Sequence, residues 1–198
     1  MLCLSPQLLF ASNSARFLIY HRVGEGRYPT TSIAVAQFTE QMAYLAKQHY
    51  PVLPGSEIIY RLQHHLDLPN HTVSISFDDA YRSVYTTAWP ILKRYHFPFT
   101  VFVATKPVDK HYGDMMTWAQ IKMLSAQGVT IGNHSESHPH LEQLSPAAIK
   151  HEIVSAQQTL IQETGKTPTL FAYPYGEYSR ATQKVVQTFM PIRKVLVT

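Results

Sequence analysis

Residues 72–79 read TVSISFDD, and this stretch decides how the rest of the chain is interpreted. Apolar side chains alternate with polar ones at Val73, Ile75 and Phe77, which is the pattern of a β-strand that buries one face. Asp78 and Asp79 follow directly. We therefore predict a strand over residues 72–77 that ends in two carboxylates.

Strand patterns and helix patterns alternate on both sides of this stretch. Further strands are predicted over residues 16–20, 49–53, 99–103, 129–132, 169–173 and 194–197. Helices are predicted over residues 35–48, 55–66, 81–95 and 178–188, from a Thr117 N-cap to residue 127, and from a Ser145 N-cap to a stop at Gly165. Pro90 is expected to kink or split the helix over residues 81–95. This alternation favours an α/β fold with a parallel sheet, either doubly wound or closed into a barrel.

The composition fits one globular domain, which we place over residues 16–198. Of 198 residues, 45% are apolar and 15% are charged, against about 25% charged in typical proteins. This excludes an intrinsically disordered chain, and the single cysteine excludes a disulfide framework and a cysteine-based zinc site. The net charge of +4 comes from scattered basic residues, so no nucleic-acid partner is expected.

The first residues leave two interpretations open. Residues 1–10 are mostly apolar and small residues follow, as in the later part of a secretory signal, although a basic start is missing. The alternative is an ordinary disordered or strand-like start. We favour a shortened export signal over residues 1–15, and with it a periplasmic or cell-surface protein, while a cytoplasmic location stays open. No stretch approaches about 18 consecutive apolar residues, so no transmembrane segment is predicted.

Reactive side chains follow four of the predicted strands. In parallel α/β folds the chemistry sits at the C-terminal ends of the strands. Histidine, which binds metals and transfers protons near neutral pH, is abundant here with 11 residues. The polar residues at the strand ends are His21 and Arg22, Asp78 and Asp79, Asn133 to His138, and Pro174 to Gly176.

One Asp and two His of this set could share a single ion. Of two adjacent carboxylates, one can bind a metal while the other stays free as a base, and two His four residues apart can converge from one tight loop. Such a mixed nitrogen and oxygen set suits Zn²⁺, Fe²⁺, Co²⁺ or Ni²⁺. Each part also has a plain structural explanation, as a helix cap, a chance spacing or a turn. Their joint occurrence at strand ends favours an enzyme.

Three motifs then identify a resemblance. SFDD at residues 76–79, HSESH at 134–138 and YPYG at 173–176 resemble, in order and separation, the first three motifs of the polysaccharide deacetylase (NodB-homology, carbohydrate esterase 4) family. The segment before the second motif, MTWAQIKMLSAQG at residues 116–128, also resembles the corresponding segment of that family. The resemblance covers roughly residues 16–188 and implies a distorted (β/α)7 barrel. The last residues, 191–198, do not resemble the expected continuation, which leaves open whether the barrel is complete at its C-terminus.

The resemblance implies a role for each matched residue. It makes Asp78 the catalytic base. The turn of Pro174, Tyr175 and Gly176 would form one wall of the substrate groove, and the backbone N–H of Tyr175 would help to bind the oxyanion. The implied metal ligands are Asp79, His134 and His138, supported by hydrogen bonds from Ser135 and by Asn133. Ala80 departs from the usual Gly, and Ala172 stands where many members carry an Arg.

The sequence departs from the family pattern at the general acid. In the family it normally lies after the Pro-Tyr-Gly turn, but 22 residues follow Gly176 and none is a histidine. Either the chain is truncated and defective, or it resembles the circularly permuted branch of poly-β-1,6-N-acetylglucosamine deacetylases, in which an early Tyr-His segment supplies the acid. Residues 20–23, YHRV, fit that segment, so we favour permutation with His21 as the acid. The absence of an Arg at Ala172 is common in the same branch.

The function implied is hydrolysis of N-acetyl groups on a polymeric amino sugar, either poly-N-acetylglucosamine-like or chitin- and peptidoglycan-like. It needs one divalent metal ion, with Zn²⁺ favoured over Co²⁺, Ni²⁺ or Fe²⁺. Two alternatives stay open: a catalytically weak carbohydrate-binding or assembly protein on the same fold, and a metal amidohydrolase acting on a small amide or a lipid-linked sugar. The remaining histidines are expected at the surface. For His140, which is close to the motif, a role in supporting the metal ligands is the alternative.

Overall fold

The computed structural model describes residues 14–190. Most of the predicted N-terminal segment (1–15) and the predicted strand over residues 194–197 lie outside the described residues. Among the described residues, no helix is both long and apolar enough to cross a membrane.

A parallel sheet of four strands forms the centre of the fold. Its strands are β1 (Arg16–Tyr20), β4 (Val73–Phe77), β5 (Thr100–Val103) and β6 (Thr130–Asn133), in the order β1-β4-β5-β6. Two short strands, β2 (Arg22–Val23) and β3 (Ser32–Ile33), pair in parallel beside it. The predicted α/β class with a parallel sheet is confirmed, and the closed seven-stranded barrel stays a prediction.

Seven α-helices connect the strands within residues 14–190. They are α1 (Val35–Lys47), α2 (Gly55–Gln63), α3 (Trp89–Arg94), α4 (Thr105–Asp109), α5 (Trp118–Ala126), α6 (Pro146–Thr164) and α7 (Arg180–Phe189). The predicted N-caps at Thr117 and Ser145 both accept hydrogen bonds from their helices, and Gly165 ends α6 with φ at +70°.

The structure departs from the predicted elements in three places. Residues 49–53 contribute only one bridge, between Val52 and Val73, because the flanking prolines offer no N–H to extend a ladder. The helix predicted over residues 81–95 is divided into a π-helical turn (Val84–Ala88) and α3, with Pro90 in the first turn of α3. Residues 169–173 form isolated bridges in place of a regular strand, and one of these bridges pairs Phe171 with Asn133 at the end of β6.

Apolar side chains from the helices and strands pack closely against the sheet. Helix α1 buries Phe38, Met42 and Leu45, which are spaced three or four residues apart and so lie on one face of the helix. The Phe38 ring contacts that of Phe77 on β4, with centroids 5.9 Å apart. On β6, Gly132 has no side chain, and the buried Phe102 ring lies over it.

Because Phe102 packs so closely on Gly132, we expect a larger side chain at this position to destabilise the protein. Gly132→Ala should lower the free energy of unfolding by about 1–3 kcal/mol, because a Cβ there would overlap the Phe102 ring, which is fully buried. Chemical denaturation measures the loss. Gly26→Ala is the control, since nothing lies within 4 Å of the corresponding position. Equal stability of the two variants would contradict this account of the packing around β6.

Candidate active site

Seven of the predicted site residues line one cleft of about 550 Å³ at the C-terminal edge of the sheet. They arrive on four different segments, which follow β1, β4, β6 and the bridge residue Phe171. The candidate residues among those lining the cleft are His21, Asp78, Asp79, His134, His138, Tyr175 and Gly176.

Three side chains of the cleft converge on one point. The Nε2 atoms of His134 and His138 lie 3.2 Å apart, and Asp79 Oδ1 lies 3.6 Å from the first and 3.3 Å from the second. Atoms that bind one ion at about 2.0–2.2 Å are themselves roughly 2.8–3.6 Å apart. The three donors therefore fit a single divalent ion.

The protonation of the two histidines also suits a metal. His134 Nδ1 lies 2.9 Å from the Ala172 carbonyl oxygen, which can only accept, so Nδ1 carries the proton and Nε2 presents its lone pair. Burial lowers the pKa of His134 to about 4, against the opposing effect of the Asp79 charge. Burial also lowers the pKa of His138. Both rings are thus neutral near pH 7, the form that binds metals.

Asn133 and Ser135 hold the loop that carries the two histidines. Asn133 Oδ1 accepts from the Ser135 N–H at 2.8 Å, and its Nδ2 donates to the Ile153 carbonyl on α6 at 3.0 Å. The Ser135 hydroxyl accepts from the His138 N–H at 3.1 Å. Ser135 and His138 have φ of +68° and +58°, which side chains disfavour, so these bonds retain the loop in a conformation it would not adopt alone.

Glu152 on α6 is a further support of this loop, and the sequence did not predict it. Its Oε2 accepts from the N–H groups of Glu136 at 3.1 Å and Ser137 at 2.8 Å. Its Oε1 accepts from the Ser137 hydroxyl at 2.6 Å. One carboxylate therefore receives three hydrogen bonds from the segment between the two histidines.

Asp78 lines the cleft and is itself only 2% exposed. Its N–H donates to the Tyr20 carbonyl at 2.9 Å, which places the ends of β4 and β1, and with them Asp78 and His21, side by side. Asp79 and Ala80 both have positive φ, and the Ala80 methyl group is buried. The turn expected to contain Gly thus accommodates Ala, at a cost of roughly 1 kcal/mol in backbone conformation.

Tyr81 follows this turn and also lines the cleft. Burial raises the pKa of Tyr81 to about 12, and the negative charge of Asp79 contributes to the rise. Its hydroxyl therefore stays protonated beside that carboxylate.

Tyr175 stands at the mouth of the cleft in a turn formed by Pro174–Gly176, with φ at +61°. Its side chain is the most exposed of the candidate set, at 57%. The ring stacks on His140, with centroids 4.0 Å apart and planes at 11°, and meets the edge of His138. His140 Nδ1 lies 2.6 Å from Glu177 Oε2. His140, expected as a surface residue, is thus half-buried and fixes the orientation of the Tyr175 ring.

Ala172, which stands where an Arg is common, serves the site through its backbone. Its methyl group is buried in a small cluster with Ile59, Phe102 and Leu170. Its carbonyl oxygen accepts the hydrogen bond from His134 Nδ1 and so orients that ring.

Residues 65–190 match the family model described as polysaccharide deacetylase, which is well over half of the chain. The chain belongs to the polysaccharide deacetylase family. It is 27% identical to YxkH of Bacillus subtilis over 171 residues, which are 86% of this chain and 60% of that relative. It is 28% identical to a poly-β-1,6-N-acetyl-D-glucosamine N-deacetylase of Staphylococcus aureus, over 87% of this chain and 68% of that protein.

Solved structures agree with this membership. This deacetylase-family chain is similar to the structure of IcaB from Ammonifex degensii, with a TM-score of 0.80 and 28% identity over 91% of this chain and 82% of that one. It also shares its fold with the Streptococcus pyogenes deacetylase PplD, with a TM-score of 0.82 and 24% identity, over 88% of this chain and 80% of that one.

Proposed function

We propose that the protein removes N-acetyl groups from a polymeric amino sugar, releasing acetate and a free amine. The observation that carries the proposal is the convergence of Asp79, His134 and His138 in a cleft that Asp78 and His21 also line. The likeness to relatives named as poly-β-1,6-N-acetylglucosamine deacetylases supports that polymer as substrate, with chitin-like and peptidoglycan-like polymers as alternatives.

Asp79, His134 and His138 would hold one divalent ion, and Zn²⁺ suits two imidazoles and one carboxylate, with Co²⁺, Ni²⁺ or Fe²⁺ as alternatives. When bound, such an ion supplies Lewis-acid polarisation of the acetyl carbonyl and lowers the pKa of water.

The chain's own residues then perform the proton transfers. Asp78 accepts a proton from the water that attacks the acetyl carbon. The Tyr175 N–H donates a hydrogen bond to the carbonyl oxygen as it gains negative charge. The C–N bond breaks, His21 donates a proton to the departing nitrogen, and acetate leaves. Without that proton the amide nitrogen is a poor leaving group.

Acetate release from poly-β-1,6-N-acetylglucosamine and from chitin oligomers tests the proposal, with protein loaded with Zn²⁺, Co²⁺ or Ni²⁺ and with chelated protein as the blank. Metal-dependent release from a polymer is the expected result. Glycan binding without release under all three metals would favour the carbohydrate-binding alternative. Release confined to small amides or lipid-linked sugars would favour the amidohydrolase alternative.

We also propose that the fold is a (β/α)7 barrel and that the protein is exported. The sheet continues toward a (β/α)7 barrel, which is supported by the bridge between Asn133 and Phe171 because it adds a further chain segment beside β6. The protein acts outside the cytoplasm, which is supported by the polymeric nature of the proposed substrate and by the apolar residues 1–10.

Glu152→Ala should weaken Zn²⁺ binding by about tenfold, because the loop between His134 and His138 loses three hydrogen bonds. Titration of the metal-free protein measures the affinity directly, and thermal denaturation shows whether the variant is folded. Glu142→Gln, an exposed change nearby, is the control and should bind as wild type. A folded Glu152→Ala protein with unchanged affinity would show that the loop needs no such support.

A further inference from the structure

Arg22 is a buried cation that directly follows the candidate acid His21. Its side chain is 7% exposed. The guanidinium carbon lies 3.5 Å from the centroid of the Tyr81 ring and 3.8 Å from that of the Tyr28 ring. Both rings are therefore within cation–π distance of the guanidinium.

Two carboxylates complete this arrangement, which we call the Arg22 clamp (Arg22, Glu25, Tyr28, Tyr81 and Asp114). Arg22 Nη1 lies 2.6 Å from Glu25 Oε2 and 3.3 Å from Asp114 Oδ2. The Tyr28 hydroxyl donates to Asp114 at 2.6 Å. A planar guanidinium can stack between rings and pair with carboxylates in its own plane at the same time, which a lysine ammonium cannot do.

The clamp links the backbone on one side of His21 to the turn that carries the two aspartates, because Tyr81 follows that turn. On the other side of His21, the Tyr20 carbonyl accepts from the Asp78 N–H at 2.9 Å. His21 therefore lies between two connections to the same turn, one through the backbone of Tyr20 and one through the side chain of Arg22.

Backbone contacts of two clamp residues also reach other residues that line the cleft. The Arg22 N–H donates to the Thr31 carbonyl at 3.0 Å, and Thr31 lines the cleft. Tyr81 forms a bridge with Met115, another lining residue, which follows Asp114. Two residues of the clamp are thus also connected through their backbones to Thr31 and Met115, which line the cleft.

We propose that Arg22 is a positioning residue that sets the place of His21 relative to the Asp78 turn. The proposal rests on the proposed deacetylase function. A general acid has to reach the departing nitrogen within hydrogen-bonding distance, and small displacements of a catalytic group reduce rates steeply. Loss of the clamp should therefore impair protonation of the leaving group more than the attack of water.

This difference can be measured with two kinds of leaving group. The amine that leaves an N-acetyl sugar needs a proton, whereas 4-nitrophenolate leaves 4-nitrophenyl acetate without one. A variant with a misplaced acid loses amide hydrolysis and retains ester hydrolysis. A variant whose whole site is disordered loses both, so the ratio of the two kcat values separates positioning from general damage.

The variants are Arg22→Met, which keeps the aliphatic stem, and Arg22→Lys, which keeps the charge. Tyr28→Leu removes one face of the clamp from a partly exposed position and serves if the Arg22 variants are unstable. Arg27→Met is the matched control, because Arg27 also pairs with Asp114 but its side chain is 66% exposed. His21→Ala gives the limit of full loss of the acid.

With Zn²⁺-loaded protein and the rate of chelated protein subtracted, Arg22→Met and Arg22→Lys should lower kcat for acetate release from poly-N-acetylglucosamine by at least about tenfold. In the two Arg22 variants, ester hydrolysis and Zn²⁺ affinity should stay within about threefold of wild type. In Arg27→Met, both amide and ester hydrolysis should stay within the same range. An equal fall of amide and ester hydrolysis in folded variants, or no fall in either, would overturn the role of Arg22. Wild-type protein that releases no acetate from any polymer would refute the proposed function, and the positioning role with it.

Discussion

The Asp78→Asn variant should retain its fold and its metal while acetate release falls by at least about 100-fold. Asn has nearly the same shape as Asp but cannot take a proton from the attacking water. Asp78 is 2% exposed at the bottom of the cleft, and its N–H bond to the Tyr20 carbonyl does not depend on the side chain. The loss should therefore appear in kcat and leave thermal stability little changed.

Three measurements make this prediction specific: kcat for acetate release, metal content by elemental analysis, and the melting temperature. Asp67→Asn, the same substitution at an exposed residue, is the control and should behave as wild type. If Asp78→Asn keeps its metal and still deacetylates at more than a third of the wild-type rate, another group is the base.

The parts of the fold that could be predicted are those encoded by short-range patterns. The alternation in residues 72–77 predicts a strand, and β4 forms there. Its second face is buried as well, including Ser74 and Ser76, which the alternation did not predict. The cap residues Thr117 and Ser145 act on N–H groups three residues away, so local sequence is sufficient to place them. The strand ends could be placed together because parallel strands present their C-terminal ends at one edge of a sheet.

The supports of the site could not be predicted in this way, because their partners are distant in sequence. Glu152 reaches the histidine loop from a helix that begins at Pro146, and no spacing in the chain marks it among the acidic residues of its neighbourhood. Asp114 lies 92 residues from Arg22 and meets it only once the sheet is formed. Such contacts depend on tertiary packing rather than on periodicity.

His140 illustrates the same limit at the mouth of the cleft. By position alone it reads as a solvated residue after the second histidine of the motif. The stacking of His140 on Tyr175 depends on the Pro174–Gly176 turn, 35 residues further along the chain. Tyr175 has a left-handed backbone conformation in this turn, and its ring lies against His140. A residue-type pattern contains no information on that direction.

The second large effect is expected at the candidate metal centre, where His134→Ala should abolish stable Zn²⁺ binding and, with it, acetate release. His134 is 2% exposed, and it supplies one of only three protein donors in the described cluster. The two donors left, Asp79 and His138, would hold the ion much more weakly. The Ala172 carbonyl would also lose its hydrogen bond from Nδ1.

Because that lost bond and the cavity can lower stability by themselves, metal binding has to be measured apart from folding. A metal that binds only the folded state raises the melting temperature. Wild-type protein and the exposed control His151→Ala, whose side chain is 73% exposed, should therefore melt higher with Zn²⁺ than with chelator. His134→Ala should melt at the same temperature in both.

His138→Ala provides the second test, since this ring is 21% exposed and its removal disturbs the core less. It should show the same loss of metal with a smaller loss of intrinsic stability. Unchanged metal content in both histidine variants would show that the ion is held elsewhere. If both histidine variants lose the metal and Asp78→Asn retains it, the residues that bind the ion are distinct from the residue that takes the proton. Two adjacent aspartates at the end of one strand make this division possible, because one can bind the ion while the other acts as the base.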